Sequence, residues 1–153
     1  MQNSARRRCP SAKIAGMTIA AEPRVCIIGA GCSGFTMAKR LKDAGIRVSL
    51  FADCSPEAMS GFAATGADRV ELYTEPYARA HGTEREDEVL ASYAAAGARA
   101  VELGLGLNAG HDLNLHNLAR FAAEVPGLQE VSIGHALIAD ALELGMDATV
   151  KAY

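Results

Sequence analysis

Tryptophan is absent from this chain, and aromatic residues make up only 5% of it. Basic excess is lacking as well: residues 1–23 hold four Lys/Arg and one acid, whereas the rest holds 11 and 17, leaving a mildly acidic body. That combination excludes the basic, stacking surface nucleic-acid binding needs. No apolar run approaches the roughly 20 residues of a membrane span, so no membrane role is expected. The four cysteines, Cys9, Cys26, Cys32 and Cys54, include no C-x-x-C pair. They suit reduced thiols in a cytoplasmic protein better than a disulfide framework.

The first 23 residues combine Arg6, Arg7 and Arg8 with Ser4 and Ser11, and have no acid before Glu22. This has a faint transit-peptide character, but Gly16 and Thr18 interrupt the stretch Ile14–Ala21, which is too weakly apolar for a secretory core. The expectation is a disordered basic tail, with Met17 an alternative start.

From residue 24 the chain reads as one domain of alternating strands and helices. Strands are expected at Arg24–Ile28, Arg47–Phe51, Asp68–Thr74, Leu105–Ala109 and Leu128–Ile133, each a short apolar or β-branched run. Between them lie expected helices at Ser33–Ala44, from Ser55 to about Ala64, from Thr83 to about Leu103, and at Asn114–Ala123. Gly45 stops the first, Ser55 with Pro56 opens the second, and Thr83 with Glu86 reads as a capping box for the third. Val89, Leu90, Tyr93, Gly97, Ala100 and Val101 should form that helix's buried stripe. The last helix, Ala136–Leu144, is interrupted at Gly145. No hairpin signal separates the five strands, so the fold class is α/β, a parallel sheet with helical crossovers.

Three motifs carry chemistry. Gly29, Gly31 and Gly34 form a G-x-G-x-x-G loop between a strand and a helix, the setting for a pyrophosphate; a plain tight βα turn is the stronger alternative. His111 and Asp112 follow the fourth strand, putting an imidazole that titrates near neutrality at the carboxyl-end rim. Gly134 and His135 follow the fifth strand and open a helix, whose backbone N–H groups suit an anion. Glu71 lies mid-strand in a sheet expected to be covered on both faces. Left unpaired there it would cost several kcal/mol, so it must be paired, protonated or used. His116 is expected on the helix after His111 and His81 in a polar surface loop. No metal site is expected, because the spacing of His111 and His116 is poor and no third ligand is recognisable.

Two resemblances divide the chain. The segment 24–46 (RVCIIGAGCSGFTMAKRLKDAGI) resembles the opening of a flavin-dependent monooxygenase, which would imply FAD or NAD at Gly29, Gly31 and Gly34. The ribose-binding Glu of that pattern is replaced by Ala52, with Asp53 one residue late. The segments AGIRVSLFAD (44–53), DRVELYTEPYA (68–78), LGLNAGHDLNLHN (105–117) and VSIGHALIA (131–139) resemble, in order, the C-terminal half of pyridoxine 5′-phosphate synthase.

That second resemblance implies a TIM barrel and a ring-closing transferase of pyridoxine biosynthesis. The reaction joins 3-amino-2-oxopropyl phosphate to 1-deoxy-D-xylulose 5-phosphate without metal or redox cofactor. It assigns His111 as proton donor, Glu71 as transition-state stabiliser, and Asp112, Gly134 and His135 to the aminoketone phosphate. At 153 residues the chain is far short of the roughly 250 a complete barrel takes. A fusion of two fragments is therefore expected, folded as a half barrel or an open five-stranded sheet. An apolar half interior and exposed edges would favour a homo-oligomer or a complementing half-barrel. Three outcomes stay open: a synthase-like enzyme acting on phosphorylated small molecules, a dinucleotide-binding module, and an inactive fragment.

Overall fold

The computed structural model describes residues 32–153 continuously, together with three short strands before them. Two of these, β1 (Lys13–Ile14) and β2 (Met17–Thr18), pair antiparallel. The remainder of the basic tail expected at 1–23 lies outside the described residues, as do Gly29 and Gly31.

The body alternates β3 (Arg24–Ile27), α1 (Cys32–Asp43), β4 (Arg47–Ala52), α2 (Pro56–Ala64) and β5 (Arg69–Leu72). It continues through α3 (Glu75–Ala80), α4 (Glu86–Glu102), β6 (Gly106–Gly110), α5 (Leu118–Glu124), β7 (Leu128–Ser132), α6 (His135–Leu144) and α7 (Met146–Ala152). The five strands β3 to β7 form one parallel sheet in strict chain order. Right-handed crossovers that always step the same way put their helices on one face of a sheet. An order without reversal also has no switch-point crevice of the kind that holds dinucleotides in doubly wound folds. The result is a partial barrel of the (β/α) type.

Alternation along the strands sorts the two faces. Val48, Leu50 and Ala52 of β4, Val70 and Leu72 of β5, and Leu107 and Ala109 of β6 are all buried. They join Ala38, Met59, Phe62, Leu90, Tyr93, Ala96, Ala100 and Phe121 of the helices in one core. Tyr77, Tyr93 and Phe121 stack within it, with ring centroids 5.0–6.1 Å apart. The intervening residues, Ser49, Arg69, Glu71 and Asn108 among them, share the opposite face.

That opposite face corrects two expectations. Among the described residues the core helices cover one side of the sheet, and the other side carries Ser49, Arg69, Glu71 and Asn108 beside Phe51, where an apolar half interior was expected. Glu71 is consequently half-buried, not enclosed.

Local departures have local causes. The strand expected to run to Thr74 ends at Leu72, because Glu75 and Pro76 open the short helix α3, which the strand pattern concealed. Helix α4 begins at Glu86 rather than Thr83, since the Glu86 carboxylate reaches past Thr83 to accept from Gly82 N at 2.7 Å and contacts His81 Nδ1 at 2.8 Å. Val101 is 53% exposed and leaves the expected stripe. His116 sits in the turn before α5, its backbone N–H held by Asn114 Oδ1 at 2.9 Å, and not on the helix. Ser55 caps α2 as expected, and Gly145 separates α6 from α7. No helix among the described residues is long and apolar enough to cross a membrane.

Candidate active site

The site residues that the synthase resemblance assigns, Glu71, His111, Asp112, Gly134 and His135, lie toward the carboxyl ends of β5, β6 and β7. The assembly begins at Gly110, the last residue of β6. A Cβ built there would lie 2.2 Å from the Ser132 carbonyl oxygen, so only glycine allows β6 and β7 to approach this closely. The next residue, His111, donates its N–H to that same oxygen at 2.9 Å. Its φ of 48° makes it the one non-glycine in the left-handed region among the described residues. Such a conformation persists only where the surroundings enforce it.

The enforcing contacts come from both sides. The buried Thr74 hydroxyl donates to the Gly110 carbonyl, which also accepts from Asp112 N at 2.7 Å. Beyond the turn, Asn117 Nδ2 donates to the Asp112 carbonyl at 3.2 Å, Asn117 Oδ1 accepts from Asn114 N at 2.8 Å, and Tyr77 OH donates to the Asn117 carbonyl at 2.9 Å. The loop 111–117 is thus fastened to α3 and to its own following turn.

The His111 imidazole stands exposed on this base. Its Nδ1 lies 3.2 Å from Asp112 Oδ2, a buried oxygen with no hydrogen bond among the described residues. The two histidine rings, His111 and His135, meet edge to face with centroids 6.0 Å apart. Glu71 shares the uncovered face below them. Burial pushes its carboxyl above the ordinary range, and the His111 charge opposes that shift.

Helix α6 starts at His135 with Gly134 as its cap residue, and among the described residues it has no side-chain cap hydrogen bond. A bare helix start of this kind is suited to an anion. Asp112 differs, because its N–H already points at Gly110 and Thr74. Among the described residues no three His, Cys, Asp or Glu stand close enough to hold a metal ion. Of the glycine-loop residues, Gly34 lies inside α1. Ala52, where a ribose-binding acid would be needed, is buried, and Asp53 beyond it is exposed.

Residues 34–153 match the family described as pyridoxal phosphate biosynthesis protein PdxJ. The chain belongs to that family. It is 64% identical over 109 residues to pyridoxine 5′-phosphate synthase of Albidiferax ferrireducens, covering 71% of this chain and 43% of that protein. It is 59% identical over 112 residues to the synthase of Xanthomonas oryzae pv. oryzae, covering 73% and 44%. The chain therefore spans less than half the length of these curated relatives. The family match begins after Gly29 and Gly31. Among solved structures, GMP reductase from Trypanosoma brucei aligns with a TM-score of 0.54 over 87% of this chain and 37% of that one, at 15% identity. At that identity the likeness is one of fold alone.

Sequence reasoning missed Thr74 and Asn117, which position the loop, and read Gly110 only as the partner of His111 in a strand-end Gly-His pair. It also missed Arg69, Asn108 and Glu130, which lie on that face. Spacing could have found Arg69, since it stands two residues before Glu71 and strand side chains alternate.

Proposed function

We propose that this chain carries the C-terminal part of a pyridoxine 5′-phosphate synthase site, serving the condensation of 3-amino-2-oxopropyl phosphate with 1-deoxy-D-xylulose 5-phosphate. The convergence of His111, Asp112, Glu71, Gly134 and His135 on one rim supports this reading. His111, exposed and with a carboxylate beside Nδ1, is the proton donor to a departing substrate oxygen. Asp112 orients that ring through the contact at Nδ1. Glu71 is a half-desolvated carboxylate, and it gains most when positive charge develops beside it, as when an amine condenses with a ketone. The Gly134–His135 helix start receives the phosphate of the aminoketone.

No metal or redox cofactor enters this scheme. The polar uncovered face supports a second βα half, from another copy or another chain, closing over the site. The test is phosphate release from the two substrates by this chain supplied with the N-terminal portion of a full-length relative. Release abolished by His111→Ala supports the reading. Release that survives that change, or none with the supplied portion present, contradicts it.

A further inference from the structure

Beside Glu71 and extending deeper on the uncovered face lie Asn108, Glu130 and Arg69, polar groups that none of the roles above uses. Register pairs Glu71 of β5 with Asn108 of β6, and Asn108 with Glu130 of β7. The three form a row across adjacent strands, about 4.8 Å between neighbours. Arg69 lies in the next layer down. Its Nη1 donates to Asn108 Oδ1 at 2.7 Å and lies 3.1 Å from Glu130 Oε2.

The arrangement is built into the backbone. The Arg69 stem crosses β6 at Gly106, where a Cβ would fall 2.7 Å from Arg69 Cγ. A guanidinium can only donate, so its bond fixes which end of the Asn108 amide is oxygen. The other end, Nδ2, donates to no described residue and is not sealed from solvent, although Asn108 as a whole is only 7% exposed. An oriented amide donor is therefore held on the open face, one strand spacing from Glu71.

We propose that Asn108 is a further substrate-contacting residue, its amide N–H donating to an oxygen of the bound phosphorylated substrate, with Arg69 acting through it as a positioning residue and Glu130 as the counter-ion of Arg69. This deepens the synthase reading of the same site and rests on it. The contact is directional: Asn108 supplies a donor only while Arg69 holds its oxygen. If Arg69 is lost the amide is free to rotate, and a carbonyl oxygen can meet the substrate instead.

The test is calorimetric titration of the chain with pyridoxine 5′-phosphate and, separately, with inorganic phosphate. Asn108→Asp keeps an acceptor for Arg69 and removes the donor, so the fold is retained. It should weaken pyridoxine 5′-phosphate by roughly tenfold, the scale of one lost hydrogen bond. Inorganic phosphate should be unaffected, which also excludes a general repulsion of anions. Arg69→Met should give a similar loss, Arg69→Lys should restore part of it, and the double variant Asn108→Asp with Arg69→Met should be no weaker than Asn108→Asp alone. Parent-like affinity in Asn108→Asp, or losses that multiply in the double variant, overturns the inference while leaving the synthase reading in place. A parent chain that binds neither probe removes both.

Discussion

The imidazoles of His111 and His135 meet edge to face at 6.0 Å although they belong to successive βα units. The Gly110–Ser132 contact sets that separation, because it draws the ends of β6 and β7 together just before each histidine. The proposed proton donor and the proposed phosphate-binding helix start thereby fall within the span of one small phosphorylated molecule.

Gly110 and Gly134 should respond differently to alanine. At Gly110 the added Cβ collides with the Ser132 backbone, so Gly110→Ala should destabilise by about 1–3 kcal/mol or more. At Gly134 nothing lies within 4 Å of the Cβ position, and Gly134→Ala should stay within about 1 kcal/mol of the parent. Its cost should appear in phosphate affinity instead. Denaturant midpoints measured beside phosphate titrations separate the two effects.

Glu71 makes the fold more stable in acid. Its carboxyl titrates above the ordinary value because burial disfavours the charge. Between its unfolded and folded pKa values the native state holds more protons than the unfolded one, so stability falls as pH rises through that window. Glu71→Gln should remove this contribution. Thermal midpoints of the parent, measured relative to the variant, should climb as pH is lowered; a constant difference contradicts the assignment.

Glu86 acts in the opposite sense. The Gly82 N–H, then His81 and Arg120, hold its carboxyl down to about 2. Its stabilisation is present above the ordinary carboxylate value of about 4.3 and is lost as pH falls through the folded value. Glu86→Gln should lower the midpoint at neutral pH and converge with the parent near pH 2.

The exposed end of the chain should tolerate change that the core does not. Leu142 of α6 is 85% exposed, whereas Leu90 of α4 is fully buried. Leu90→Ala should cost about 2–5 kcal/mol through the cavity it leaves, and Leu142→Glu should stay within about 0.5 kcal/mol. Urea unfolding of both variants checks the contrast.

Much of this fold could be read from residue order. Short β-branched runs ending in glycine or a cap residue gave the five strands, and the absence of hairpin turns gave their parallel arrangement. The helix α3 escaped notice because Tyr73 and Thr74 continue the alternation of β5 until Glu75 and Pro76 end it. The openness of one face could not be read either. Alternation reports that Arg69 and Glu71 point away from Val70 and Leu72, not whether another layer lies beyond them. His111, Glu71, Gly134 and His135 were legible as strand-end or odd strand residues. The contact of Arg69 with Asn108 was not, because it depends on the register of β5 against β6, which only the folded chain specifies.

The most direct test of the central claim is a thermal-unfolding titration of the purified chain with pyridoxine 5′-phosphate, run beside FAD. Occupying a native site at a hundredfold excess over Kd adds about 2.7 kcal/mol, equivalent to a midpoint rise of roughly 5–10 °C for a domain of this size. The account predicts that rise with pyridoxine 5′-phosphate and its loss in His135→Ala. A rise with FAD alone, or with neither ligand, would contradict it.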